Sequence, residues 1–234
     1  MVRIIMHGYQ GRLGQIICKL ISENENCEVV AGIDTKPSIT VEPFPVYNEI
    51  QDCDMPADVI IDFSTASAIT SLIDFAIDKK IALVICTTAI PKEVNDEIIE
   101  ASKQIPIFKS ANMSLGINLI SNMLNKISDI LYDEGFDIEI IEKHHNQKID
   151  APSGTAFLLA DSINQSLDNK LNYVFDRSKL NEKRTKNELG LHAVRGGTIV
   201  GEHEVIFAGK DEVITLSHSA YSKEVFAVGA IKAA

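Results

Sequence analysis

Val2-Arg3-Ile4-Ile5-Met6-His7-Gly8-Tyr9-Gln10-Gly11-Arg12-Leu13-Gly14 is the stretch from which the fold is read. A short apolar run of β character ends in a G-x-x-G-x-x-G turn and enters the amphipathic pattern of residues 12–22. Glycines in such a turn let the backbone bend tightly and approach a pyrophosphate, whose charge is met by the N–H groups and dipole of the helix N-terminus. A glycine-rich turn alone serves simple chain reversal as well. The next apolar run, residues 28–33, ends at Asp34. It lies about 20 residues past the glycines, where an acid accepts from the hydroxyls of an adenosine ribose. Strand, glycines, helix, strand and acid in this order define a dinucleotide-binding unit. An acid at that point favours NADH, because the 2′-phosphate of NADPH meets like charge. Lys36 either offsets that repulsion and allows both cofactors, or is an ordinary solvated loop lysine.

Further along, apolar runs at residues 59–61, 81–86 and 105–108 alternate with helical patterns at 66–78 and 93–102. This is the grammar of a doubly wound parallel sheet with right-handed crossovers. After Asn112 the grammar changes. A long helical pattern at 115–131 precedes an alternating strand at 136–143, a second helical stretch at 154–167, a polar segment at 168–188, and strand-like runs at 190–194, 198–207 and 212–217. The tail, 222–234, is helical and rich in small residues. The expected architecture is a Rossmann-like domain of residues 1–112 plus 220–234, and an α+β substrate-binding and oligomerisation domain with a mixed sheet, residues 113–219.

Composition narrows the function. The 234 residues carry a formal charge of −11, with basic residues scattered, which argues against a nucleic-acid or acidic-membrane surface. No uninterrupted apolar stretch is long enough to span a bilayer and no export signal is evident, so a cytoplasmic enzyme is expected. The four cysteines show neither C-x-x-C spacing nor the density of a disulfide scaffold. An anionic ligand must then be met by a local positive site.

One segment offers such a site: Glu142-Lys143-His144-His145-Asn146-Gln147-Lys148-Ile149-Asp150-Ala151-Pro152-Ser153-Gly154-Thr155-Ala156. Adjacent histidines on a strand point to opposite faces, so His144 and His145 are poor joint metal ligands, and no zinc-type spacing accompanies them. No metal is expected. Ser153 suits the N-cap of a helix starting at Gly154, making the first-turn N–H groups of Gly154 and Thr155 available to a carboxylate. Lys148 brings a point charge beside that helix end or donates a proton. Arg195 is a second candidate for a carboxylate, or else a turn-stabilising arginine. His203 and His218 read as structural.

The segment resembles the signature E-x-H-H-x-x-K-x-D-x-P-S-G-T-A of the dihydrodipicolinate reductase family. The likeness continues through Gly11-Arg12-Leu13-Gly14, Asp62-Phe63-Ser64, Thr87-Thr88, Ala111-Asn112-Met113-Ser114-Leu115-Gly116, Arg195-Gly196-Gly197 and Gly201-Glu202-His203. It implies reduction of 4-hydroxy-tetrahydrodipicolinate to tetrahydrodipicolinate by NADH or NADPH, in the diaminopimelate route to lysine. By the same resemblance His144 is the proton donor, His145 contacts the substrate, and Lys148 polarises or protonates it alongside Gly154 and Thr155; Ser153 and Arg195 are further candidates for substrate binding from the residues themselves. Cofactor contacts fall on Gly8, Tyr9, Gln10, Gly11, Arg12, Leu13, Asp34, Lys36, Phe63, Cys86, Thr87, Thr88, Ser110, Ala111, Asn112 and Met113. The family implies self-association as a homotetramer.

Some positions depart from the family pattern. Cys86-Thr87-Thr88-Ala89 stands where Gly-Thr-Thr-Gly is usual, Met113 replaces a phenylalanine, and Lys223 stands where arginine is common. Two rival readings share the glycine turn: another two-domain dehydrogenase of amino acids or sugars, and a nicotinamide-sensing regulator without turnover. Neither accounts for H-H-x-x-K followed by P-S-G-T.

Overall fold

The computed structural model describes residues 1–35 and 43–234. They divide into two compact units, Met1–Met113 with Glu224–Ala234, and Ser114–Lys223. In the first, β1 (Val2–His7) runs into α1 (Arg12–Ser22), β2 (Cys27–Ile33), β3 (Val46–Tyr47), β4 (Val59–Asp62), α2 (Ile69–Lys79), β5 (Ala82–Ile85), α3 (Lys92–Ala101) and β6 (Ile107–Lys109). The strands form one parallel sheet in the order β3-β2-β1-β4-β5-β6, the arrangement of a dinucleotide-binding fold. Residues 36–42 lie outside the described residues, and with them the reading of Lys36.

The continuous apolar runs follow from burial on both faces. Side chains alternate along a strand, so Ile5, Ile60, Leu83 and Ile85 join a core with α2 and α3, while Ile4, Met6, Ile61 and Val84 join another with α1. Each fully buried isoleucine contributes roughly 1.5–3 kcal/mol from transfer out of water.

The second unit contains α4 (Leu115–Asp133), β7 (Asp137–His144), α5 (Gly154–Ser166), β8 (Asn172–Val174), β9 (Glu188–Arg195), β10 (Gly201–Ala208) and β11 (Val213–Ala220). Its sheet has the order β11-β10-β7-β9-β8, with β7, β8 and β9 parallel and β10 and β11 antiparallel, so it is mixed. One sheet face packs on α4 and α5 through Ile138, Ile140, Leu159, Ile163, Leu191, Val205 and Phe207. The chain then returns to the first unit with α6 (Glu224–Ala233), whose Ala227 and Ala230 complete the core beside α1. Small residues allow that close approach: a Cβ on Gly229 would meet the Met113 backbone oxygen at 1.8 Å.

Two elements differ from the sequence expectation. The segment 168–188, expected to be merely polar, holds the edge strand β8 and a short 3₁₀ turn at Arg177–Lys179. The two-residue β3 was not anticipated; it is too short to show periodicity and is defined by pairing with Gly32 and Ile33.

Candidate active site

At the carboxyl end of β1 the glycine turn is built for close backbone approach. Gly8 has φ +80, and a Cβ there would lie 2.6 Å from the Phe63 carbonyl oxygen. Gly14 brings α1 against the turn, since a Cβ on it would meet the Gly8 oxygen at 2.4 Å. Gly11 caps α1 without a side-chain bond, leaving the helix end to its backbone N–H groups. Asp34 closes the turn from β2 by accepting from the Gln10 N–H at 3.1 Å. In front lies a cavity of about 410 Å³, lined among others by Gly8, Gly11, Asp34, Phe63 and Ser67. Backbone with no side chain in the way, a helix N-terminus and an acid at the second strand suit a dinucleotide.

The other sequence-predicted cofactor residues fall into distinct groups. Arg12 is exposed at the start of α1 and Leu13 half-buried, while Tyr9 is wholly buried and packs edge-on to Phe44 at 6.0 Å, so its ring belongs to the core. Thr87 is also buried, and its hydroxyl donates to Asp62 at 2.7 Å. Asp62 further binds His7 Nδ1 at 2.8 Å and accepts from the Ser64 hydroxyl at 2.5 Å. This cluster ties the ends of β1, β4 and β5 together beneath the turn, and neither His7 nor Asp62 was singled out as a pair from sequence. Burial and the Asp62 charge push the Cys86 thiol up, so it packs as an apolar group. Thr88 is exposed, and Ala89, standing where the family has glycine, takes φ 55. Ser110 braces the following turn by donating to the Asn112 carbonyl at 2.7 Å; Ala111 is exposed there and Met113 is buried.

In the second unit, β7 directs Ile138, Ile140, Glu142 and His144 to its buried face. The last two exchange hydrocarbon for chemistry. Glu142 is wholly buried and accepts from His144 Nδ1 at 2.6 Å, from Arg195 Nη1 at 2.7 Å and Nη2 at 2.8 Å, and from the Ser153 N–H at 3.0 Å. Burial alone would raise its pKa, but the bonds from His144 and Arg195 outweigh that and hold it at about 2. With Nδ1 on Glu142, the other imidazole nitrogen, Nε2, is the one turned away. Gly201 makes room for it, since a Cβ there would come within 3.1 Å of Nε2.

Ser153 caps α5 as expected, accepting from the Ala156 N–H at 3.1 Å, and its hydroxyl is 2.9 Å from His203 Nε2. His203 packs edge-on to His144, with ring centroids 5.2 Å apart. Desolvation, then the neighbouring His144, pulls its pKa down to about 3, so it is neutral and its tautomer sets which of Ser153 Oγ and His203 Nε2 donates to the other. Gly154 opens the helix end: a Cβ on it would meet nothing within 4 Å. Lys148 follows β7 in the loop, its amine 2.8 Å from Asp150, and His145 is half-buried at the loop's start. His218 lies instead 3.2 Å from the Ser114 hydroxyl at the α4 cap.

Arg195, read as either a carboxylate ligand or a turn-stabilising arginine, is engaged with Glu142 and the neighbouring backbone. Nη1 donates to Glu142 and the Val194 carbonyl, Nη2 to Glu142 and the Asp150 carbonyl, and Nε is buried with no hydrogen-bond partner. Both terminal nitrogens are thus engaged within the second unit. Glu142 was legible as a partner of His144, because residues two apart on a strand share a face. His203 was not, since its position follows from the pairing of β10 with β7, which sets His203 opposite Glu142. Among the described residues no group of three or more His, Cys, Asp or Glu could hold a metal ion.

These features define a nicotinamide-dinucleotide-dependent oxidoreductase of two-domain design. Residues 2–113 match the family model described as dihydrodipicolinate reductase, N-terminus, and residues 116–234 the one described as its C-terminus. The chain belongs to the dihydrodipicolinate reductase family, and is an NAD(P)H-dependent oxidoreductase of the diaminopimelate route to lysine. It is 54% identical over 234 residues to the 4-hydroxy-tetrahydrodipicolinate reductase of Caldanaerobacter subterraneus subsp. tengcongensis, covering 100% of this chain and 92% of that one. Against the enzyme of the same description from Clostridium tetani the identity is 53%, covering 100% and 90%. A dipicolinate-bound dihydrodipicolinate reductase from Paenisporosarcina sp. TG-14 superposes with a TM-score of 0.80 at 25% identity, over 99% of this chain and 92% of that one. A myo-inositol 2-dehydrogenase from Lactobacillus plantarum, at 11% identity and a TM-score of 0.62 over 99% and 87%, shares the fold alone. The rival reading as a sugar dehydrogenase therefore had the right architecture and the wrong family.

Proposed function

We propose that this chain reduces 4-hydroxy-tetrahydrodipicolinate, with His144 as proton donor and Lys148 as the cation that meets and polarises the substrate. The reaction consumes NADH or NADPH and one proton and releases tetrahydrodipicolinate, oxidised cofactor and water. The cofactor, when bound, supplies the hydride. The glycine turn at Gly8 and Gly11 and the acid Asp34 hold it in the first unit. The second unit carries the chain's own chemistry.

The observation that carries this reading is the Nδ1 bond of His144 to an ionised, buried Glu142 at 2.6 Å. It orients the imidazole so that Nε2 can give a proton as hydride adds to the unsaturated imine. The N-terminus of α5 at Gly154 and Thr155, with Lys148 nearby in sequence, suits a carboxylate of a dianionic substrate. His145 completes the substrate contacts. An assay of cofactor absorbance with freshly prepared substrate tests the activity and, run with each cofactor, the role of Asp34. Asp34→Ala should lower the efficiency with NADH roughly tenfold (~1.4 kcal/mol for a lost hydrogen-bonded contact) and leave NADPH little changed; an unchanged ratio would remove Asp34 as the determinant.

The chain acts as a cytoplasmic homotetramer, with the second unit as the interface. Support comes from the face of its sheet away from α4 and α5, where Val194 and Val213 are exposed among paired charges, and from the exposed edge strand β11. An open edge and apolar side chains of this kind are a liability in a monomer. The free cysteines Cys18, Cys27, Cys53 and Cys86 suit a reducing compartment. Light scattering at micromolar concentration should give four times the chain mass, and a monomer would refute the assembly.

A further inference from the structure

Both terminal nitrogens of Arg195 are committed within the second unit, and its partner Glu142 is also the partner of His144. We propose that Arg195 and Glu142 are positioning residues for the proton donor: Arg195 locks the Glu142 carboxylate, and Glu142 locks His144 in the tautomer and ring pose that turn Nε2 toward substrate. The inference rests on His144 being the acid.

The geometry supports a relay of orientation rather than of protons. The two guanidinium nitrogens grip the carboxylate in a fork, Nη1 on Oε2 at 2.7 Å and Nη2 on Oε1 at 2.8 Å. A forked pair defines the carboxylate plane as well as its charge. The remaining directions go to His144 Nδ1 on Oε2 and the Ser153 N–H on Oε1. The carboxylate therefore has no rotational freedom, and the same grip connects the end of β7 to the cap of α5. Arg195 is itself placed by strand register, its Cα being the partner of His144 in the β7–β9 ladder. Its hydrogen bond to the Asp150 carbonyl also holds the loop that carries Lys148.

The charge arrangement gives the inference its test. Groups packed against His144 are Glu142 on its own strand, Arg195 on β9 and neutral His203 on β10, with Lys148 of the following loop acting on His203 through its charge. Glu142 favours the imidazolium, and Arg195 moderates that field by neutralising part of the carboxylate charge. Removing one or the other should therefore move the basic limb of turnover in opposite directions. A general acid is active while protonated, so turnover falls along a basic limb set by its pKa in the substrate complex.

The experiment measures kcat and KM against pH for the full-length enzyme and three variants. His144→Gln should abolish the limb together with most of the turnover; an intact limb there would sink the reading of His144 as acid and leave the positioning question separate. Glu142→Gln should move the limb to lower pH by on the order of one unit, and Arg195→Met to higher pH, with kcat falling in both by on the order of 10–100-fold. KM for the substrate should change little with Arg195→Met. If that variant raises KM strongly without moving the limb, Arg195 is a substrate ligand and the proposal is overturned; limbs that shift in the same direction overturn it too. A variant that fails to fold does not end the test. In the wild-type enzyme labelled with ¹⁵N-histidine, neutral His144, assigned by difference from His144→Gln, should carry its proton on Nδ1. A proton on Nε2 would contradict the proposal directly.

Discussion

The turn from Met6 to Gly14 and the segment from Glu142 to Ala156 both present a helix N-terminus at the end of a strand, but they recognise in different ways. In the first the candidate surface is backbone, with no side chain at Gly8 or Gly11 and with α1 packed close against the turn at Gly14. In the second it is side chains, held by partners from three strands: Glu142 and His144 on β7, Arg195 on β9 and His203 on β10. A backbone site tolerates no Cβ, whereas a side-chain site tolerates no loss of its partners. Cofactor binding and proton delivery should accordingly fail separately.

The largest effect outside the acid itself is expected from Gly8→Ala. Its methyl combines a left-handed backbone with a 2.6 Å contact to the Phe63 oxygen. The two costs together come to about 2–5 kcal/mol. Urea unfolding should show that loss, and NADH titration should show binding abolished with it. A variant of native stability that still binds NADH would mean the turn is not the backbone site described.

Acid pH should probe the side-chain site next. His203 has its pKa pulled from 6.5 to about 3 by burial and by His144. The unfolded chain binds a proton there at higher pH than the folded one, so this group's contribution is present above pH 6.5 and is lost as pH falls toward 3. The limiting slope is about 1.4 kcal/mol per pH unit. His203→Gln should flatten the decline in unfolding free energy between those pH values. An unchanged slope would show that His203 is not buried neutral beside His144.

The smallest effect concerns the departure at Ala89. Its φ of 55 costs an alanine about 1 kcal/mol, partly regained by an unfolded chain less flexible than one with glycine. Ala89 is exposed and its methyl has little to pack on, so Ala89→Gly should raise stability by roughly 0.5 kcal/mol, or a Tm shift of one or two degrees. A clear loss of stability would show that the methyl is doing packing work instead.

Legibility in the sequence followed the same division. The glycine turn, Asp34 and the helix after them are contiguous or separated by one βα step, so spacing alone located them. The parallel sheet was legible for a similar reason, since strands buried on both faces read as unbroken apolar runs. Glu142 beside His144 could be found by alternation along one strand. Arg195 could be named but not placed, because its direction depends on the register of β9 against β7. The edge strands β3 and β8 were too short, at 2 and 3 residues, for any periodicity to form. The family signature supplied the activity, which periodicity could not.

We propose that the second unit's strand end delivers the proton while the first unit's turn holds the cofactor. His144→Ala, with folding verified by circular dichroism, tests it most directly by measuring kcat beside the dissociation constant for NADH. Turnover should fall on the order of 10²–10⁴-fold, the usual cost of a lost general acid, with NADH affinity within about twofold of wild type, and Lys148→Ala should by contrast also raise the substrate KM. Near-normal turnover in His144→Ala, or a loss of NADH binding equal to the loss of turnover, would contradict the claim.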